Sequence, residues 1–337
     1  MNKLGATVDN NMKHTLCSKF QGSWLGSILG EVLADLQLKR SPQLEMLQEK
    51  PPAWLEDRNS LALDLIKSPD FGVESVLIRH KLQFYSSSDL ALLLLPLILF
   101  YVDDFAQLPA IVIPKQKQQS NSQEKLTNGH GHLTHLRFPQ MTENNFYDPK
   151  TSENIQEALI WGNAIILALQ AKLEVNNFIE SILLDTEINF TPLMQQLKIV
   201  KNALKIGKPS NKVVEELSRI DTSSNALALS LYCFGVAPED FELSVNLAIS
   251  NKYRTQKVAA LTGALSGAYN GFMGIPLKSR AILSQNPIYP STTNIIIKLF
   301  SVWSGTYREM QDNSLLTLVA APGSLQTRSL KIISQTK

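Results

Sequence analysis

The sequence is poor in features that would place it in a specialised class. It contains two cysteines, Cys17 and Cys233, too few for a disulfide framework or a cysteine-based metal site. Both are expected to stay reduced, as in a cytoplasmic protein. Its 32 Lys and Arg residues nearly balance its 30 Asp and Glu residues, so charge gives no reason to expect a nucleic-acid partner.

Long hydrophobic runs are also missing. The longest, Leu90–Val102, ends at Asp103 and Asp104, and it falls short of the roughly 20 residues that cross a bilayer. It is interpreted as a buried core helix in which Pro96 causes a kink. The first residues lack the apolar stretch of a signal peptide. No membrane span is predicted, and the expected location is the cytoplasm.

The chain does contain enough apolar residues for a large core, since 44% of its 337 residues are hydrophobic. No alternating strand pattern stands out, and the fold class is predicted to be all-α. Residues 1–19 are expected to form a flexible N-terminal arm, residues 20–320 one helical domain, and residues 321–337 a C-terminal tail. The predicted helices include Phe20–Gln37, Asn59–Ile66, Phe71–His80, Phe84–Phe105, Ser152–Leu173, Phe190–Leu204, Ser224–Phe234, Glu239–Ser250 and Ser291–Met310.

Residues 114–150 differ from the rest. The stretch is polar, rich in Gln and Asn, and offers little to bury, so a disordered loop is expected. It holds three of the five histidines, His130, His132 and His135. Imidazole is a common metal ligand, but the favoured interpretation is an exposed, flexible tract.

Two rows of small residues suggest the centre of the fold. Gly22, Gly26, Gly30 and Ala34 recur every four positions, as do Ala259, Gly263, Gly267 and Gly271, with Ala260, Ala264 and Ala268 beside the second row. Positions four apart share one helical face. Glycine inside a helix costs about 1 kcal/mol relative to alanine, so close approach of another backbone is expected. The two rows therefore predict a tightly packed pair of helices.

The same two stretches carry a family resemblance. The first, QGSWLGSILGEVLADL, resembles the opening helix of the ADP-ribosylglycohydrolase family, which typically reads G-x-L-x-G-x-x-x-G-D-x-L-G. The second, AALTGALSGAYNG followed by Ile275-Pro276, is similar to that family's G-D-x-D-T-x-A-A-I-x-G-A-L-x-G-A-x-x-G. The resemblance runs from about Phe20 to about Arg280. It implies one compact orthogonal helical domain, with relatives that hold two magnesium ions and hydrolyse a glycosidic bond to ADP-ribose.

The chemical residues depart from the family pattern. Ser86, Ser87, Ser88 and Asp89 stand where relatives carry T-D-D-T, and Arg254, Gln256 and Lys257 replace the D-x-D-T residues. Glu31 occupies the position of an aspartate in the opening helix. Magnesium prefers carboxylate oxygens, and two cationic side chains beside such a site are repulsive. These eight residues are candidates for a degenerate cleft, and no catalytic residue, metal ligand or cofactor is predicted.

Three functions remain open. The leading hypothesis is a non-catalytic family member that binds a protein partner or an anionic small ligand, with Arg254 and Lys257 receiving the acidic group. The alternative is an active ADP-ribosyl hydrolase with an altered metal or metal-free site, in which Glu31 and Asp89 converge with Asp103 or Asp104. The third is an interaction protein that binds partners through its 114–150 loop.

Overall fold

Helices make up the described chain. The computed structural model describes residues 14–38, 53–67, 82–112, 149–184, 191–220, 223–286 and 289–306. Within these ranges no β-strand occurs, which confirms the all-α prediction. The α-helices are α1 (Leu16–Leu38), α2 (Ala53–Lys67), α3 (Ser87–Leu93), α4 (Leu95–Phe100), α5 (Leu108–Val112), α6 (Pro149–Leu169), α7 (Phe178–Leu184), α8 (Pro192–Ile206), α9 (Ser210–Leu217), α10 (Asn225–Val236), α11 (Phe241–Ser250), α12 (Thr255–Gly274), α13 (Leu277–Ser284) and α14 (Tyr289–Trp303).

Helices α1 and α12 pack against each other along their glycine rows. A Cβ atom added at Gly26 would lie 2.2 Å from the carbonyl oxygen of Gly263, and one added at Gly263 would lie 2.1 Å from the carbonyl oxygen of Gly26. Gly22 and Gly267 show the same reciprocal approach, at 2.2 and 2.0 Å. Only glycine allows backbones to come this close, so the predicted helix pair is confirmed.

Gly271, the last residue of the glycine row on α12, has a different backbone conformation from the others. Gly271 has φ 65° and ψ 171°, which interrupts the helical geometry of α12 near its end. A Cβ there would lie 2.9 Å from the hydroxyl oxygen of Ser18. Positive φ is accessible to glycine at little cost. Gly271 therefore lets the chain turn away where α12 meets the start of α1.

Helix α1 begins earlier than predicted. It starts at Leu16, so residues 16–19 are helical and do not belong to a flexible arm. The backbone N–H of Ser18 donates to the Thr15 hydroxyl oxygen at 3.2 Å, which caps the helix. The Lys19 ammonium donates to the carbonyl oxygen of Ala168 at 2.8 Å and so ties this first turn to the last turn of α6.

Helix α6 also begins earlier than predicted. It starts at Pro149, inside the range assigned to the loop, and proline suits the first turn of a helix. The rest of the 114–150 loop, its three histidines, the Phe71–His80 helix and the tail 321–337 lie outside the described residues.

The apolar run forms two short core helices. Helices α3 and α4 are separated at Leu94, two residues before Pro96, as expected from the clash of a proline ring with the preceding turn. All residues from Leu90 to Phe100, including Pro96, are buried in the core. The predicted kink and burial are confirmed. None of the described helices combines the length and apolar character needed to cross a membrane.

Candidate functional site

The serine motif forms the start of α3. Ser86 is the N-cap residue, and its hydroxyl oxygen accepts a long hydrogen bond from the Asp89 backbone N–H at 3.4 Å. The Ser86 hydroxyl donates to Asp89 Oδ2 at 2.6 Å. The hydroxyl oxygens of Ser86 and Ser88 lie 3.0 Å apart. The Asp89 carboxylate is therefore held against the first turn of its own helix, where negative charge is favoured.

Asp89 is also paired with a lysine from α12. The Lys257 ammonium donates to Asp89 Oδ2 at 2.7 Å. The Asp89 side chain is 16% exposed and that of Lys257 is 36% exposed, so the pair lies at the edge of the core. One carboxylate oxygen thus receives both the Ser86 hydroxyl and the Lys257 ammonium. This pair joins the starts of α3 and α12.

Glu31, on α1, belongs to the same charged group. The pKa of Glu31 is raised to about 7, chiefly by burial and also by the carboxylates of Asp35 and Asp89, whereas Arg58 and Lys257 oppose the shift. We call Glu31, Ser86, Ser88, Asp89 and Lys257 the Asp89–Lys257 cluster. At neutral pH the Glu31 carboxyl is only partly ionised.

Arg58, on α2, is a member of this environment that the sequence analysis missed. Its side chain is fully buried. One guanidinium nitrogen, Nη1, donates to the Ser27 hydroxyl at 2.6 Å, and the group lies 4.2 Å from the Trp24 ring and 4.9 Å from the Trp54 ring. Burial lowers the pKa of Arg58 to about 9, and Glu31 opposes the shift. Because Arg58 follows Trp54 by four residues, helical spacing already places it on the buried face of α2.

Ser87 points away from the cluster and into the core. Its hydroxyl donates to Glu157 Oε2 at 2.5 Å, and Glu157 Oε1 accepts the backbone N–H of Leu193 at 3.1 Å. Glu157 is fully buried. Burial raises the pKa of its carboxyl, while the hydrogen bonds from Ser87 and Leu193 oppose the shift. Glu157 thus ties the starts of α3 and α8 to the middle of α6.

Two further candidates face solvent. Arg254 and Gln256 are exposed. Arg254 is the N-cap residue of α12 in the left-handed region, with φ 40°, and its guanidinium lies 5.9 Å from the Tyr253 ring. The structure therefore assembles five of the eight candidates and separates Ser87, Arg254 and Gln256 from them.

The carboxylates close enough to raise the pKa of Glu31 are those of Asp35 and Asp89. Asp103 and Asp104, proposed for the alternative site, are exposed beyond the end of α4. In the described parts of the chain, no three His, Cys, Asp or Glu side chains are grouped so that they would hold a metal ion.

The described residues form an all-helical fold built on the α1–α12 glycine contact, with a charged cluster where α3 and α12 begin. The model of the ADP-ribosylglycohydrolase family matches residues 149–309. The match, which covers just under half of the chain, supports a relationship to this family. The matched range includes Glu157 and Lys257 but begins after Glu31 and the serine motif, so it covers only the later part of the resemblance seen in the sequence. The search of curated proteins gives no match for this chain.

Proposed function

We propose that this chain is a non-catalytic member of the ADP-ribosylglycohydrolase family that acts as a binding, regulatory or scaffold protein. The observation that carries the proposal is the ion pair between Asp89 and Lys257. Asp89 is the one carboxylate of the serine motif, and its Oδ2 atom already accepts an ammonium and a hydroxyl. It is the one carboxylate that the serine motif could offer to a magnesium ion, and Lys257 already occupies it.

The oxygen atoms that the cluster could offer as metal ligands support the proposal that the protein has no magnesium cofactor. Magnesium takes near-octahedral oxygen ligands at about 2.0–2.1 Å and is usually held through carboxylates. The cluster offers Asp89, which Lys257 neutralises, and Glu31, whose pKa of about 7 leaves it partly protonated at neutral pH. The hydroxyls of Ser86 and Ser88 carry no charge to offset two divalent ions. These residues do not fit a pair of magnesium ions.

One exposed cation, Arg254, supports a binding role, whereas Lys257 is already paired with Asp89. Arg254 projects from the start of α12, where relatives carry an aspartate, and it is exposed. A guanidinium in this position recognises carboxylates or phosphates with two parallel hydrogen bonds. The partner we propose is a protein that presents an acidic group, or an anionic small ligand. Both cysteines are free thiols, which agrees with a cytoplasmic location.

One observation favours the alternative, an active ADP-ribosyl hydrolase with an altered site. Glu31 and Asp89 interact electrostatically, and the pKa of Glu31 is raised to about 7. A partly buried carboxyl with such a pKa suits general acid–base catalysis near neutral pH. The alternative therefore predicts hydrolysis that depends on Glu31 and does not require magnesium.

Release of ADP-ribose from an ADP-ribosylated protein distinguishes the two functions. We expect no release by the purified protein above a no-protein blank, with or without magnesium. Release that is lost in Glu31→Gln would overturn the non-catalytic proposal. In parallel, calorimetry with ADP-ribose and with proteins recovered by affinity purification tests binding. The matched variant is Arg254→Gln, which should weaken any interaction with an anion, whereas Lys278→Gln, at an exposed position on α13, should not.

A further inference from the structure

We propose that the ammonium group of Lys257 is a built-in replacement for a metal ion. It supplies the positive charge that joins the start of α3 to the start of α12, and it makes the cluster independent of divalent cations. The inference rests on the proposed function, because it assumes that the cleft of the family's hydrolases is retained without its ions.

The position of Lys257 is the first argument. It is the third residue of α12, so its charge lies in the first turn of a 20-residue helix. A cation is disfavoured there, because the free N–H groups of a helix start carry partial positive charge. Such a lysine needs a nearby anion to be stable. Asp89 Oδ2 provides it at 2.7 Å.

The connection that Lys257 makes is the second argument. In relatives, ligands from the T-D-D-T and D-x-D-T motifs converge on the ions, and the corresponding residues here are 86–89 and 254–257. Lys257 comes from the second of these stretches and binds the one acid of the first. A single side chain thus makes the link between the two stretches that an ion would otherwise make.

The charges around the pair are the third argument. Glu31 interacts with Asp89 and Asp35, which are negative, and with Lys257 and Arg58, which are positive. Two protein cations therefore face these carboxylates. A divalent ion approaching Asp89 would have to displace the Lys257 ammonium from Oδ2 and would meet its repulsion at short range.

The experiment compares four proteins and uses Mn²⁺ as the divalent probe. Binding is measured from the loss of the electron paramagnetic resonance signal of free Mn²⁺, and stability is measured by thermal melting. The four proteins are the parent, Lys257→Thr, Lys257→Thr/Asp89→Asn, and the exposed-lysine control Lys278→Met. We expect Lys257→Thr alone to bind Mn²⁺ and to melt several degrees higher when millimolar Mn²⁺ is added. The other three should show neither effect. Equal Mn²⁺ binding by the parent and Lys257→Thr, or no binding by Lys257→Thr, would overturn the inference.

A second pair of variants decides the matter if Lys257→Thr does not fold. Lys257→Met keeps most of the length of the side chain without its charge, and Lys257→Met/Asp89→Asn also removes the charge that Lys257 neutralises. The single variant should melt several degrees below the parent, and the double variant should recover most of that loss. A single variant that melts like the parent would contradict the inference. Hydrolysis by the parent would instead refute the proposed function and leave this result unchanged.

Discussion

Substituting Gly26 with alanine tests the packing on which the cluster depends. The added methyl carbon would lie 2.2 Å from the carbonyl oxygen of Gly263, a backbone atom that cannot rotate away. To reach even 3.0 Å, helices α1 and α12 must move apart by nearly an ångström, which also loosens the contact between Gly22 and Gly267.

The expected cost is the difference between two effects. Overpacking a well-packed core costs about 1–3 kcal/mol, occasionally more. Replacing a helical glycine with alanine returns at most about 1 kcal/mol. Because the obstacle is backbone on both sides, the cost falls at the upper end of that range, and we expect Gly26→Ala to lower the free energy of unfolding by about 1–2 kcal/mol after that gain. Adding Gly263→Ala should cost less than it does alone, since the helices have already separated.

Denaturation in urea measures the effect, and α6 provides the control. The three atoms nearest to a Cβ at Gly162 all belong to the Ile98 side chain, with Cδ1 at 2.8 Å and Cγ1 at 3.1 Å. A side chain can give way more readily than a backbone carbonyl, so Gly162→Ala should cost less than Gly26→Ala. If Gly26→Ala and Gly162→Ala have the same unfolding midpoint, the backbone contact does not limit packing and the reasoning fails.

Two further predictions concern carboxyl groups. The pKa of Glu31 is raised from 4.5 to about 7, so the folded state holds this proton more tightly than the unfolded state, and the group's contribution to stability falls as pH rises between these values. Glu31→Gln should remove that fall and stabilise the protein above the window by about 1–3 kcal/mol; urea midpoints that keep the parental pH dependence would contradict this. Ser87→Asp should destabilise the protein strongly, because its carboxyl would face the buried Glu157 carboxyl, and adding Glu157→Gln should restore part of the loss. Melting temperatures of the two variants test this, and the absence of any recovery would show that Glu157 is not the cause.

The helix framework was largely readable from the sequence because its signals are local. The small residues of α1 and α12 repeat with helical spacing, and that spacing alone predicts a face that another backbone approaches. Proline at position 96 similarly marks the break between α3 and α4. The early start of α1 was missed although its cap, Thr15, is local, and a distant contact adds to it. Lys19 is anchored by the carbonyl of Ala168, a contact across 149 residues of sequence.

For the candidate site, the sequence predicted which residues are involved but not how their side chains are oriented. The motif positions identified Asp89 and Lys257, which the structure places in contact. Local spacing does not tell which way a side chain turns at a helix start. Ser87 turns inward because Glu157, 70 residues later, accepts its hydroxyl. Arg254 faces outward from the turn before α12. The orientation of Ser87 depends on a tertiary partner that carries no local signature.

Isothermal titration of the purified parent protein with magnesium tests the central claim most directly. The account predicts only the heat of dilution at millimolar magnesium, because Lys257 already neutralises Asp89 and Glu31 is partly protonated. A stoichiometric, saturable heat of binding that disappears in Glu31→Gln would contradict it. That result would mean that the cluster is a functional metal site.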